Sequence, residues 1–577
     1  MEQDHGLLTL GVAGRTHRAA SLRPPMGAEI VILLGALSPI LGFPIFLIIA
    51  TAFNVGDPQA LPATDYGIGN LIALADHLDW IANTLLLAVG GTAIAIAIAI
   101  AASWILYRTT MPGRRVFEML IALPYPLGPL LGALAWSELA SPRSGLINQA
   151  YWSLVGAGAP LVDASSLGGI MFVMAIFEAP VAVFIIGAAM QRMDPSLEEC
   201  SSTLGASSLG TALRVTLPLM LPAILSAALF LLTSMMGAFA IPAILGAESR
   251  LYVVTTAIYI LFQGFPPNYP LASALGLVLI VATASAVWLH GRLLRNRSFV
   301  VVSGKSYRPR LINMRGWTPV LFAFLVLYVA VALVLPLCVL LFAALQRSND
   351  FSLAADAFTL ANFRYVLWDY PTARLAIGNS LLLGLGTGLI GTLLTALLAW
   401  VIHRSRGRGR MLLEQVIMLP QSVPHLIFAF GFMWAVLVLP FKIYGTLWAV
   451  LLAYVVIFLP LGYRSMSGVV VQIDKALEEA GRVFGAGRLR ILAGITLPLL
   501  STGLTATFAL LFMVSVREVS ASIFLSSAAN PVLGPAILSF WDSGGLPQVS
   551  ALVIVQTVIL LTTLLVVRKA TGGGVGA

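Results

Sequence analysis

Residues 81–107 read IANTLLLAVGGTAIAIAIAIAASWILY, a run with no acidic or basic side chain, bracketed by Asp79 and Arg108. About 20 apolar residues suffice to cross the hydrocarbon core of a bilayer as a helix. In lipid the backbone must satisfy its own hydrogen bonds, so such a run has to be helical. Comparable runs recur at 29–53, 115–137, 168–190, 218–245 and 270–291, then at 317–345, 376–402, 411–439, 444–466, 498–525 and 549–567. Together they predict an all-α polytopic membrane protein with about twelve transmembrane helices. The stretch before Glu29 is polar and longer than the basic start of a signal peptide, and no small-residue cleavage site follows the first run. The first helix is therefore expected to be retained.

Composition agrees. Of 577 residues, 59% are hydrophobic and 10% charged, against about 45–50% and 25% in soluble domains. Mean hydropathy is +0.95. An ordinary cytosolic enzyme, a disordered scaffold and a nucleic-acid-binding module are all excluded; the implied solvent is the lipid bilayer. The net charge of +9 then reads as basic loops retained in the cytoplasm. Alternate loops hold 26 of the 33 Lys and Arg residues, the opposite loops hold six, and Arg517 falls inside a run. That asymmetry predicts a multi-pass protein with both termini cytoplasmic. The two cysteines, Cys200 and Cys338, are too far apart in sequence to suggest a disulfide framework or a zinc site.

The chain repeats itself. Asn83-Thr84-Leu85-Leu86-Leu87 returns as Asn379-Ser380-Leu381-Leu382-Leu383, and Leu123-Pro124 as Leu419-Pro420, both at an offset of 296. Pro180, Glu199, Gly205 and Pro218 return as Pro460, Glu479, Gly485 and Pro498, at an offset of 280. The extra 16 residues of the first half are expected in the polar loop around Glu138 to Ser166. Six runs per half is an even number, so the halves form a parallel repeat about an axis along the membrane normal. The expected division is a cytoplasmic tail 1–28, a first transmembrane domain 29–291, a basic linker 292–316 and a second transmembrane domain 317–577.

The loop after the fourth run of each half carries the most information. The first reads Asp194-Pro195-Ser196-Leu197-Glu198-Glu199-Cys200-Ser201-Ser202-Thr203-Leu204-Gly205. The second reads Asp474-Lys475-Ala476-Leu477-Glu478-Glu479-Ala480-Gly481-Arg482-Val483-Phe484-Gly485. Each is expected to be a short helix with its acidic residues in the first turn, where the helix dipole favours them, and a glycine able to take the left-handed cap at its end. A thin apolar stripe remains, Leu197, Cys200 and Leu204 in one copy and Ala476, Ala480 and Phe484 in the other. A short helix with small residues and a bulky tip suits docking into a groove on another protein.

The pattern of Glu, two small residues, Gly six positions after the Glu, and a later aliphatic-x-Leu-Pro resembles the signature loop of binding-protein-dependent ABC importer permeases. Glu199-Cys200-Ser201 and Glu479-Ala480-Gly481 stand where that family has Glu-Ala-Ala. The resemblance covers both halves. It implies that Glu198, Glu199, Cys200, Gly205, Glu478, Glu479, Ala480, Phe484 and Gly485 belong to two coupling helices. These would seat in two copies of a separate ABC ATPase, which would bind the ATP and Mg. This chain would bind no cofactor and catalyse no reaction itself. A periplasmic or extracytoplasmic solute-binding protein would deliver substrate, and the location would be a bacterial inner membrane. Gly304-Lys305-Ser306-Tyr307-Arg308-Pro309 and Arg517-Glu518-Val519-Ser520-Ala521-Ser522 resemble fused permeases of the ferric-iron type. That implies ferric iron as substrate, with thiamine, polyamine or phosphonate as alternatives within the class.

Other patterns carry less. Gly304-Lys305-Ser306 lacks the glycine a phosphate-binding loop needs five residues earlier, where Phe299 stands. Gly386-Thr387-Gly388-Leu389-Ile390-Gly391 lies within an apolar run, so Gly384 and Gly388 read as small residues for close helix packing. The histidines are scattered, and no metal site is expected from them. Ionisable groups within membrane runs, Glu178 and the Arg517-Glu518 pair, are candidates for the translocation path. So are Pro124 and Pro420, which with Pro126, Pro129 and Pro424 interrupt the third and ninth runs. An ion-coupled carrier would be expected to carry carboxylates in several runs and has no use for two docking loops. A membrane-embedded enzyme would need a His, Asp or Glu cluster near one bilayer face.

Overall fold

The computed structural model describes residues 27–58, 63, 65–156, 158–194, 196–294, 311–349, 354–405, 408–440 and 442–570. The segments 1–26 and 295–310 lie outside the described residues, and with them the motif at 304–309 and most of the tail and linker. Among the described residues, eight continuous helices are long and apolar enough to cross a bilayer. They are Glu29–Ala52, Gly69–Arg108, Leu167–Arg192, Ala212–Met236, Tyr269–Arg292, Thr318–Ala344, Pro371–Arg404 and Leu546–Lys569. Five further pairs of helices pass the same test but bend sharply at a short break.

Four of those pairs occupy the third, ninth, tenth and eleventh runs. The third bends by 95° between Arg114–Leu127 and Pro129–Ala140, and the ninth by 106° between Gly409–Ser422 and His425–Val438. Proline explains both breaks, because it lacks an amide and clashes with the preceding turn. Gly128, at φ +94, takes a conformation open to few other residues at the first break. The fifth pair, Ala240–Ser249 and Val254–Gln263, bends by 79° and corrects the sequence reading. The expected run 218–245 ends at Met236, and the chain then turns into a separate hairpin. Likewise the run 498–525 stops at Val516, with a second hairpin leading into Leu533–Asp542. Both hairpins are as apolar as the helices before them, so hydropathy alone merged the two.

The halves interlock. Helix Gly27–Ala52 packs on Tyr269–Leu294 of its own half but also on Gly409–Met418 and His425–Val438 of the other. A side chain at Gly431 would run into the Pro44 carbonyl, so that crossing depends on glycine. The exchange is mirrored by Leu335–Ala344, which packs on Leu546–Ala570 and on Pro129–Ala140 of the first half. Tyr328 donates across the same seam to the Ile176 carbonyl at 2.8 Å.

Within each half the longest helix is the backbone of the bundle. Leu78–Arg108 packs on Leu167–Arg192 and Leu217–Met236, and Pro371–Arg404 on Leu459–Val470 and Ser501–Val516. Gly384 and Gly388 serve this packing as expected. A Cβ added there would sit 2.8 Å from Val516 Cγ2 and 2.9 Å from Phe508 Cε2. The opposite stripe of the same helix, Leu382, Leu385, Leu389 and Leu393, is exposed. Apolar, helical in period and uncovered by protein, it is a surface for lipid.

Candidate functional site

The two signature loops form helices Ser196–Thr203 and Lys475–Val483. Asp194 and Asp474 start them, each carboxylate accepting from the amide two residues on, Ser196 at 2.9 Å and Ala476 at 3.0 Å. Such caps satisfy an amide that has no partner within the helix. Gly205 and Gly485 end them at φ +83 and +79. The next amide reaches back five residues, Ala206 to Ser201 at 3.1 Å and Ala486 to Gly481 at 3.0 Å. This is the left-handed glycine cap anticipated from the sequence.

Glu198 and Glu478 stand in the first turn as expected, and the structure adds a second role. They are buried, and each carboxylate turns inward to an arginine at the end of the long helix of its own half. Glu198 lies 3.4 Å from Arg108 and accepts from Thr216 at 2.6 Å. Glu478 accepts from Arg404 at 3.0 Å, Trp400 at 3.2 Å and Thr496 at 3.3 Å. Arg108 in turn donates to the Met190 carbonyl at 2.7 Å, and Arg404 to that of Ile473 at 3.1 Å. Besides their first-turn position, these glutamates tether the loop to the long helix. The second small residue also points inward: a Cβ on Gly481 would lie 2.8 Å from Ile495, and Ser201 hydrogen-bonds Thr211 at 2.9 Å. Glu199, Cys200 and Leu204, and Glu479, Ala480 and Phe484, are among the exposed residues of the two loops. The tips Leu204 and Phe484 are 88% and 90% exposed. With Val483, 84% exposed, they are large apolar side chains that the anchored loops hold out, uncovered by this chain.

Where the halves meet there is a cavity of about 250 Å³. Both proline breaks reach it: Tyr125 and Pro129 from one, Gln421, Val423, Pro424 and His425 from the other. Pro124 and Pro420 are buried and do not line this space; of the prolines at the two breaks it is Pro129 and Pro424 that do. Glu178, Arg464, Arg517 and Glu518 supply its charges.

Arg517 and Glu518 make no ion pair with each other among the described residues; they hold opposite walls. Arg517 crosses to the first half, hydrogen-bonding the Tyr125 carbonyl with its guanidinium carbon 4.4 Å from the Tyr125 ring centre. Glu518 turns to the second half, 3.4 Å from His425, and accepts from the Ala521 amide at 3.1 Å. Glu178 accepts from Ser234 at 3.3 Å through one oxygen and leaves the other without a hydrogen-bond partner. Sequence reading missed Tyr125, His425 and Arg464. Their repeat equivalents offered a signal, because Gln421, Pro129 and Phe184 show that these positions differ between the halves. Among the described residues, no three His, Cys, Asp or Glu side chains come together as a metal site.

The chain is 26% identical to a ferric transport system permease protein of Actinobacillus pleuropneumoniae, over 83% of this chain and 70% of that one. To an Fe(3+)-transport system permease protein of Haemophilus influenzae it is 24% identical, over 89% and 92%. A Salmonella typhi protein named for 2-aminoethylphosphonate transport is 29% identical over 41% of this chain and 88% of its own. Among solved structures, a bacterial ABC transporter involved in alginate import aligns with 47% of this chain and 96% of its own at 19% identity and a TM-score of 0.40. The family model for the binding-protein-dependent transport system inner membrane component matches residues 91–298 and again 391–569, one match in each half. With both halves matched, the chain belongs to that family of ABC importer permeases.

Proposed function

We propose that this permease carries ferric iron through the cavity between its halves, driven by two copies of an ABC ATPase seated on helices Ser196–Thr203 and Lys475–Val483. ATP and Mg are held by that partner, both termini lie in the cytoplasm, and a soluble binding protein delivers iron from outside. The observation that carries the docking is the pair of anchored loops with outward Leu204 and Phe484. The substrate rests on the ferric relatives, which align along most of the chain. Loaded binding protein and ATP must each favour a different state of the path, because a ligand shifts an equilibrium only by its differential affinity.

A second substrate, phosphonate, is favoured by one observation beyond the shorter relative. Arg464 lines the cavity with no ion-pair partner among the described residues, and a guanidinium suits a phosphonate oxygen. Uptake decides between them. Cells carrying the importer with its own binding protein and ATPase should accumulate radioactive iron and not labelled 2-aminoethylphosphonate, thiamine or polyamine. Accumulation of phosphonate without iron overturns the substrate. A purified complex without an ATPase overturns the docking.

A further inference from the structure

The pentapeptides beginning Asn83-Thr84 and Asn379-Ser380 sit near one end of the two unbroken helices, Leu78–Arg108 and Pro371–Arg404, whose other ends hold the docking loops through Arg108 and Arg404. Thr84 accepts from the Val254 amide at 2.8 Å, and Asn83 donates to the Tyr252 carbonyl at 3.1 Å. In the second half Ser380 accepts from the Leu533 amide at 2.9 Å, and Asn379 donates to the Pro531 carbonyl at 2.8 Å. Val254 and Leu533 are the first residues of Val254–Gln263 and Leu533–Asp542. A helix start leaves amides unsatisfied, and here a hydroxyl from a distant helix fills the need.

The hairpins so gripped reach the cavity wall. Thr255 donates to the carbonyl of Ala238, a lining residue, at 2.7 Å. A Cβ on Gly534 would sit 2.6 Å from the carbonyl of Glu518, another lining residue. At the other end the grip is Arg108 on Glu198 and Arg404 on Glu478. Helical rise puts Thr84 and Arg108 about 36 Å apart, more than the ~30 Å hydrocarbon core. Apolar contacts can slide past one another. A buried polar tie cannot be released without leaving its groups unsatisfied, so it holds one register.

We propose that Asn83, Thr84, Asn379 and Ser380 are positioning residues of the transport cycle. With the two arginine–glutamate ties they make each unbroken helix a strut that moves the cavity wall of one half with the docking loop of the same half. This rests on the loops docking an ATPase, as proposed above.

The test uses the complete complex in lipid nanodiscs with its binding protein loaded with ferric iron. Asn379→Ala with Ser380→Ala should keep the ATPase bound and its basal hydrolysis, while stimulation by loaded binding protein falls about fivefold or more. Ser380→Thr, the residue the first half uses, should restore the hydroxyl tie and behave as wild type. Full stimulation in the alanine variant overturns the strut. So does loss of the ATPase from it, which would make these residues merely structural. If the unaltered chain recruits no ATPase, the docking has failed instead, and hydrogen exchange on the chain alone decides the strut. Glu198→Gln should then raise exchange in residues 240–263 and leave residues 522–542 unchanged. Equal exchange in both hairpins refutes the mechanical link.

Discussion

Gly485→Asp separates the fold of this chain from its partner. Gly485 ends its loop helix at φ +79, and a Cβ built there meets no atom within 4 Å. Within the chain the substitution therefore brings no clash. It brings only the strain of a non-glycine residue in the left-handed region, about 1–2 kcal/mol. Asparagine tolerates that region better than most residues, so Gly485→Asn measures the strain without a charge. Both variants should insert at normal levels and melt within a few degrees of wild type. In the complex the aspartate adds a charge beside Phe484, 90% exposed at the tip of the docking surface. A side chain forced into a packed interface adds about 1–3 kcal/mol, and a desolvated charge adds more. An extra ~1.4 kcal/mol is tenfold in affinity, so the aspartate variant should lose the ATPase through a purification that the asparagine variant survives. Gly205→Asp should behave alike, with φ +83 and open space around it. ATPase retention and full uptake in both aspartate variants would refute the docking of these loops.

Three more outcomes are set by the geometry. Replacing Glu518 with Gln and Arg517 with Met together should not restore uptake lost in Glu518→Gln, because Glu518 holds His425 and Arg517 holds Tyr125; rescue by the double change would show that the two charges answer to each other. Gly388→Leu places its Cβ 2.9 Å from Phe508 in the seam between Pro371–Arg404 and Ser501–Val516, so overpacking of about 1–3 kcal/mol should lower the melting temperature of the detergent-solubilised chain, and an unchanged value would contradict that contact. Native Cys200 is exposed on the loop helix Ser196–Thr203 and Cys338 is exposed within a crossing helix. An impermeant maleimide should therefore label Cys200 in inside-out vesicles, bound ATPase should protect it, and Cys338 should stay unlabelled; labelling of Cys200 in intact cells would invert the topology.

Where the sequence was legible, one physical variable governed the outcome. Apolar length alone located the crossing helices, because lipid imposes a single requirement on the backbone. Glycine caps and their acidic starts could be read because they are local, set within a few residues by φ and one orphan amide. Hydropathy failed where the chain turns inside an apolar environment. The hairpins at 240–263 and 522–542 carry the same residues as a crossing helix, and their turns are fixed by Thr84 and Ser380 from elsewhere in the chain. Partners of charges were equally out of reach. Arg517 and Glu518 are neighbours in sequence, which suggested a pair, but Arg517 caps one helix while Glu518 caps the next turn, so their side chains diverge. Glu198 looked like surface because its neighbours are polar, and only the arrival of Arg108, 0% exposed, makes it an anchor.

Comparison of the two halves sorts residues by what they serve. Duplication first yields two copies of every residue, and a pair stays alike where both copies meet the same demand. The aspartate and glycine caps, the arginine–glutamate tethers with Thr216 and Thr496, and the Asn-Thr and Asn-Ser ties all occur twice. On the proposed strut each lies on a route between a docking loop and a cavity wall, and two copies of one ATPase would make the same demand on both routes. The charges in the cavity do not occur twice. Glu178, Arg464, Arg517 and Glu518 correspond to Phe458, Phe184, Gly237 and Ala238 in the opposite half. On the proposed function the cavity between the halves receives one cargo, and a single cargo without two-fold symmetry makes no equal demand on the two halves. The Gly237 and Arg517 positions show both pressures at once. Each meets the opposite proline break, Gly237 through Pro424 and Arg517 through Gly128, so the closing contact is kept while its chemistry differs. Selectivity should therefore move with substitutions at the unpaired charges, and coupling to ATP with substitutions at the paired ties. A variant of Glu178 that altered the ATPase stimulation without altering which substrate is carried would break that division.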